Sequence, residues 1–232
     1  QAWDFETMIV RIPQVLTAEE LATVRARLAE ASWVDGRVTA GHQGAKVKAN
    51  LQIAEDSQDA RDLGAIVLRG LERNALFMAA ALPRHVYPPM FNKYEPGMTF
   101  GTHIDGAIRQ IGTQRIRTDI SATLFLNPPE DYEGGELLVE DTYGAHSVKL
   151  PAGDMVIYPA TSLHRVTPVT KGARIASFFW IQSLVKDDSE RSLLFDMDRA
   201  IAELGQIVPG DSPAMLRLSA SYHNLVRKWT AM

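Results

Sequence analysis

The feature that most limits what this chain can fold into lies between Pro83 and about Val185. Short runs rich in Val, Ile, Phe, Tyr and Thr follow one another there: VYPPMFNKY, TDISATLFLN, GELLVE, HSVKL, DMVIY, HRVTPV and ARIASFFWIQSLV. Glycine and proline separate them, and no stretch of helical period intervenes. β-branched and aromatic side chains favour a pleated strand, so regularly spaced runs of this kind imply an antiparallel sandwich or barrel.

The flanks read differently. Thr17-Ala18-Glu19-Glu20 has the T-x-x-E form of a capping box, and Leu21, Val24 and Leu28 continue at helical spacing to about Ala31. Ser57 is expected to open one long helix, with Ala60, Leu63, Val67, Leu71, Ala75 and Met78 on one side, running until Pro83 stops it. Between them, WVDGRVTAGHQGAKVKANLQ (33–52) reads as loop and short strands. Asp187 to Leu204 is amphipathic and stops at Gly205, and Ser212-Pro213 places a cap and a first-turn proline before a last helix to Met232. The expected fold is α+β in three regions: strand and helix over 1–82, the β domain over 83–185, and a helical region over 186–232.

Composition narrows the chemistry. The 232 residues contain no cysteine, which excludes disulfides, thiolate metal sites and a cysteine nucleophile. The formal net charge of −4 gives no reason to expect a nucleic-acid partner. No basic leader with an apolar core is visible, and no run approaches the ~18 apolar residues of a membrane helix. The expectation is a cytoplasmic protein without a membrane partner. Met8 is one candidate start, with residues 1–7 an added stretch, since MIVRIPQVL already alternates like a first strand.

Any metal must therefore be held by histidine and carboxylate. FNKYEPGMTFGTHIDGAIR (91–109) places His103 and Asp105 two positions apart, and alternate residues of a strand point the same way. A third ligand should come from a neighbouring strand, and His164 stands near the start of one. If Thr170-Lys171-Gly172 forms a three-residue hairpin loop, Val169 faces Ala173 and His164 faces Phe178. His164, Arg174, Ala176, Phe178 and Trp180 would then share one wall. Two histidines and one carboxylate match the facial triad of non-haem Fe(II) oxygenases, which leaves positions open for a bidentate co-substrate and dioxygen. A buried arginine on the same wall suits a carboxylate, and 2-oxoglutarate would satisfy both metal and Arg174.

H-x-D, a distal histidine and an arginine ten positions after it resemble the signature of Fe(II)/2-oxoglutarate dioxygenases. More narrowly, WVDGRVTAG, VKANLQ, FNKYEPGMTFGTHIDGAIR, RTDISATLFLNPPEDYEGGEL and YPATSLHRVTPV resemble the PKHD-type (prolyl/lysyl hydroxylase-domain) bacterial proteins, the PiuC-like iron-uptake factors. The resemblance covers nearly the whole chain. It implies a double-stranded β-helix (jelly-roll or cupin-like) core with helices packed on it, together with Fe(II), 2-oxoglutarate and L-ascorbate as reductant. It also implies His103, Asp105 and His164 as catalytic iron ligands, Arg174 as the co-substrate clamp, and a link to iron acquisition. Tyr94 corresponds to a tyrosine that faces the co-substrate, and reads equally as a strand aromatic. Some relatives carry a second tyrosine where this chain has Phe125; Thr123 or Ser121 would replace it, or Arg174 would act alone.

The substrate is a small molecule or a protein side chain, and the helical ends would build either a homo-oligomer interface or a substrate wall. Lys46, Lys48 and Asn50 read as a solvated loop or as a cover for an anionic substrate. Arg115 and Arg117 read as solvated cations near the expected site entrance, and Trp180 reads as core ahead of a substrate platform. Gly134-Gly135 answers a backbone need. His42, His85, His146 and His223 have no expected role. Two rivals remain open: a cupin-like metal enzyme of another reaction class, which has no use for Arg174, and a non-catalytic iron or 2-oxoglutarate sensor.

Overall fold

The structure, a computed structural model, describes residues 9–39, 44–142 and 144–231. His42 and the question of a start at Met8 lie outside the described residues.

β1 (Val10–Ile12) leads into α1 (Ala18–Glu30). The hydroxyl of Thr17 accepts from Glu20 N at 3.2 Å while Glu20 Oε2 accepts from Thr17 N at 2.9 Å, which completes the expected capping box. β2 (Trp33–Asp35), β3 (Lys48–Ala49) and β4 (Leu51–Ile53) are the short strands of the glycine-rich segment. The single helix expected from Ser57 is in fact two, α2 (Gln58–Glu72) and α3 (Ala75–Ala81). Asn74 divides them: its Oδ1 accepts from Phe77 N at 2.9 Å, a capping bond that starts a new helix. Leu82 then turns left-handed, at φ 42°, and closes α3 ahead of Pro83.

β5 (Pro83–Val86), β6 (Met90–Tyr94) and β7 (Thr99–His103) follow. A hairpin of β8 (Ile108–Ile111) and β9 (Gln114–Arg117), which the apolar pattern does not announce, precedes β10 (Ile120–Phe125). Then come β11 (Tyr132–Gly134), β12 (Leu137–Asp141), β13 (Gly144–Val148) and β14 (Met155–Pro159). β15 (His164–Val166), β16 (Val169–Gly172) and β17 (Arg174–Ser183) lead to α4 (Asp188–Leu204) and α5 (Pro213–Trp229). Asp187 caps α4, and Ser212 caps α5 as the sequence suggests.

Two sheets face each other. The larger runs β1-β14-β10-β17-β6-β4-β2, with β5 also on β17, and the smaller runs β13-β12-β15-β7-β3. Successive strands such as β6 and β7, or β14 and β15, lie in opposite sheets, the winding of a double-stranded β-helix. The outer face of the larger sheet packs on α1, α2 and α3 through Ile12, Leu124, Ile157, Phe179 and Ile181 against Val24, Leu63, Val67 and Phe77. β10 is buried at all six positions because Ile120, Ala122 and Leu124 face those helices while Ser121, Thr123 and Phe125 face the interior. No described helix is long and apolar enough to cross a membrane.

The expected β15–β17 hairpin does not form. β16 intervenes and pairs with β11, Gly172 lying opposite Tyr132. β15 joins the smaller sheet between β12 and β7, whereas β17 joins the larger between β10 and β6. His164 therefore faces His103, and Phe178 faces Thr123. Arg174, Ala176, Phe178 and Trp180 still share a face, since the two-residue period belongs to the strand and not to its partner.

Candidate metal centre

Side-by-side pairing of β7 and β15 sets His103 opposite His164, with ring centroids 4.2 Å apart. β7 ends at His103, so Asp105 reaches the same point from the turn beyond the strand, its Oδ2 3.7 Å from His164 Nε2. The ligand atoms of His103, Asp105 and His164 all lie within 4.8 Å of one another. Among the described residues they form the one group of three or more metal-ligating side chains this close together. His146 instead lies 2.8 Å from Asp141, and His85 lies 3.0 Å from Gln114.

The backbone sets both imidazoles. His103 Nδ1 lies 2.8 Å from Gly101 O, and His164 Nδ1 lies 3.1 Å from Ser162 O. A carbonyl only accepts, so each Nδ1 carries the proton and each Nε2 keeps its lone pair for a metal. Burial, and then the neighbouring His164, push His103 down to about 4, which keeps it neutral at physiological pH as a ligand must be. Ser121, reaching across from β10, donates its hydroxyl to Asp105 Oδ2 at 2.5 Å and orients the carboxylate. Two imidazoles and one oriented carboxylate fit Fe(II) with open positions, whereas a structural zinc site would close with a fourth protein ligand.

The three side chains open into a cavity of about 520 Å³ between the sheets. Arg174 lines it from β17, opposite Tyr94 on β6. It is 1% exposed, its guanidinium lies 5.4 Å and 5.3 Å from the rings of Tyr94 and Phe125, and its Nε and Nη1 have no hydrogen-bond partner. A buried cation without a counter-charge is expensive. Arg174 thus has room for an anionic partner that the protein itself does not supply.

Phenols gather around it. Burial pushes the Tyr94 and Tyr158 hydroxyls up, so both stay protonated. Tyr132 has a buried hydroxyl with no partner, and a Cβ added at Gly135 would lie 3.1 Å from the Tyr132 ring and 3.2 Å from Arg174 Cδ. Gly134 and Gly135 have φ of 72° and 66°, the backbone need read from the sequence. Ser121 is occupied by Asp105 and Thr123 bonds Tyr158, so neither supplies what Phe125 lacks.

Two cavity residues escape sequence reasoning: Tyr158 could have been found from the alternation of DMVIY, whereas Arg109 carries no such signal. Tyr132, close to Arg174, carries none either. Lys48 and Asn50 line the cavity and are buried, whereas Lys46 is exposed. Arg115 and Arg117 are not at the cavity wall: Arg115 is exposed on the β8–β9 hairpin, and Arg117 pairs with Asp119 at 2.5 Å. Trp180, read as core, is buried and also lines the cavity.

A two-sheet β-helix that brings His-x-Asp, a distal histidine and a buried arginine to one cavity defines an oxygenase class. The model of the 2OG-Fe(II) oxygenase superfamily matches residues 89–182, and that of the PKHD-type hydroxylase C-terminal domain matches residues 188–231. A PKHD-type hydroxylase of Paracoccus denitrificans is 58% identical over 224 residues, covering 96% of this chain and 99% of the relative. Another, from Cupriavidus pinatubonensis, is 60% identical over 227 residues with the same coverage. The chain belongs to the PKHD-type hydroxylase family and is a 2-oxoglutarate-dependent dioxygenase. Among solved structures, a Trichoplax adhaerens prolyl hydroxylase in complex with a hypoxia inducible factor peptide fragment aligns over 82% of this chain and 87% of its own, with a TM-score of 0.56 at 15% identity. The carbocyclase SnoK from nogalamycin biosynthesis aligns over 78% and 81%, with a TM-score of 0.54 at 19% identity. At such identities the likeness is one of fold.

Proposed function

We propose that this chain is a hydroxylase in which His103, Asp105 and His164 hold Fe(II) and Arg174 takes the far carboxylate of 2-oxoglutarate. The observation that carries the assignment is Arg174: a buried guanidinium with unpartnered nitrogens, in the same cavity as the His–Asp–His cluster. When bound, the iron supplies dioxygen activation coupled to conversion of 2-oxoglutarate to succinate and CO2, with hydroxylation of the substrate. The chain's own residues do the rest. Ser121 and the two main-chain carbonyls orient the ligands, and Tyr94 and Phe125 hold the guanidinium plane. Tyr132 offers the phenol hydroxyl that Phe125 lacks. Phe178 and Trp180 keep the cavity wall apolar and limit water.

L-ascorbate is the reductant this reading requires to keep iron ferrous. The substrate is a small molecule or a side chain, and its connection to iron acquisition is supported by the sequence resemblance. A cupin-like enzyme of another reaction class has no use for the Arg174 socket, which counts against that rival. The test is succinate formation by purified protein with Fe(II), 2-oxoglutarate and ascorbate. It is expected in the wild type and lost in His103→Ala, Asp105→Ala and His164→Ala, each of which also loses Fe(II) in equilibrium dialysis. Normal iron binding by two of the three variants would overturn the ligand assignment.

A further inference from the structure

The cavity has a second cationic region that the iron and 2-oxoglutarate do not use. Arg174 and Trp180 stand six residues apart on β17, about 20 Å at ~3.3 Å per residue. A five-carbon dicarboxylate, at roughly 1.5 Å per bond, spans only about 6 Å. At the Trp180 end, the Arg109 guanidinium stacks on the indole, 3.9 Å from the ring centroid, with its Nε buried and unpartnered. Lys48 comes in from β3, opposite Phe100 of β7, with Nζ 5.3 Å from the Phe100 ring and 5.8 Å from the Phe178 ring. Gly101 permits that approach, since a Cβ there would lie 2.9 Å from Val47 Cβ. Lys48 is only 6% exposed; burial, and then the like charge of Arg109, pull it down to about 8.

Lys48 and Arg109 line one cavity as like charges, and although Glu55, Asp105 and Asp35 draw on Lys48, burial and Arg109 outweigh them, an arrangement that favours a further anion at this end. Two polar atoms nearby are unmatched: Arg109 Nε and Asn92 Oδ1 are buried without hydrogen-bond partners. The rim is apolar, with Ile104 and Ile108 each 57% exposed.

We propose that the outer half of the cavity recognises the primary substrate as a small organic anion, with Lys48 and Arg109 binding its carboxylate or equivalent oxyanion and Ile104 and Ile108 covering its apolar body. This rests on the assignment of the inner half to iron and 2-oxoglutarate. Phe100 stacks on His103 at 3.6 Å and Lys48 sits over Phe100, so the anionic group lies within a few bonds of the carbon presented to the iron.

The probe is benzoate, with benzamide as its neutral isostere, titrated calorimetrically into anaerobic Fe(II)-loaded protein saturated with 2-oxoglutarate. Benzoate should bind about 10- to 100-fold more tightly than benzamide, the worth of one charge-assisted contact. Lys48→Met, which keeps the apolar stem, and Arg109→Gln should each remove that preference, whereas Lys46→Ala should retain it. All three should bind 2-oxoglutarate as wild type does and unfold at similar temperatures. Absence of benzoate binding, equal binding of both probes, a preference that survives both substitutions, or displacement of 2-oxoglutarate by benzoate would overturn the proposal. Undiminished 2-oxoglutarate affinity in Arg174→Met would instead overturn the inner-site assignment and leave the benzoate comparison to judge the outer site by itself.

Discussion

Replacing Arg174 by methionine separates a ligand socket from a structural tie. The side chain is 1% exposed and its Nε and Nη1 have no partner within the protein. Two charge-assisted hydrogen bonds at about 1.5–3 kcal/mol each amount to about 3–6 kcal/mol, so 2-oxoglutarate should bind roughly 10²- to 10⁴-fold more weakly to Arg174→Met. The ligand-free variant should be at least as stable as the wild type, because an apolar chain of similar length replaces an uncompensated buried charge. Thermal unfolding reads both effects. At 100 times its dissociation constant, 2-oxoglutarate should add about 2.7 kcal/mol to the wild type. For a chain of this size that is a rise of roughly 5–10 °C in Tm, at about 2–4 °C per kcal/mol. The same concentration should leave the variant nearly unmoved. A variant that keeps the full ligand-induced shift, or whose ligand-free form loses several kcal/mol, would refute the reasoning.

Ser121→Ala removes the donor to Asp105 Oδ2; Fe(II) affinity should fall about 10- to 100-fold in equilibrium dialysis, with little change in Tm. Unchanged affinity would show that Ser121 does not position the carboxylate. Gly135→Ala places a Cβ 3.0 Å from Val169 Cγ2 and 3.2 Å from Arg174 Cδ at a φ of 66°. It should cost about 1–2 kcal/mol in chemical denaturation and weaken 2-oxoglutarate as well, and a neutral outcome in both would mean the loop relaxes freely. Glu20, which its hydrogen bonds with Arg73 and Thr17 hold down from 4.5 to about 2 despite some burial, contributes stability that is complete above the unfolded value and lost as pH falls towards about 2. Glu20→Gln should therefore flatten the stability profile in that window, and an unaltered acid limb would remove Glu20 from the account.

The local signals in this chain were readable because they need few partners. T-x-x-E at Thr17, the Ser212 cap and the alternation along β17 depend on residues within a turn or two. A β15–β17 hairpin would put Arg174 on the inner wall, and Arg174 lies there without it because strand parity is independent of pairing. What pairs with what was not readable: a jelly roll sends successive strands to opposite sheets, so proximity in sequence misled over His164 and Phe178. The break at Asn74 was hidden because Ala75 and Met78 continue the same apolar stripe, and only the side-chain cap reveals it. Lys48 looked like a solvated loop cation because its burial comes from Phe100 and Phe178, which are more than 50 and 120 residues distant. Tyr132 was invisible for the same reason: its place beside Arg174 is set by the pairing of β11 with β16.

Both histidines of the proposed metal centre give their Nδ1 protons to peptide carbonyls two residues earlier in the chain, Gly101 O and Ser162 O. In many metal sites that duty falls to an aspartate or glutamate, whose replacement changes the basicity of the ligand. A main-chain oxygen cannot be substituted. On the proposed assignment, neighbouring side chains can therefore drift, reshaping the outer cavity for a different substrate, while the nitrogen offered to the iron stays the same. Selection on specificity and the constraint of the redox chemistry act here on separate atoms.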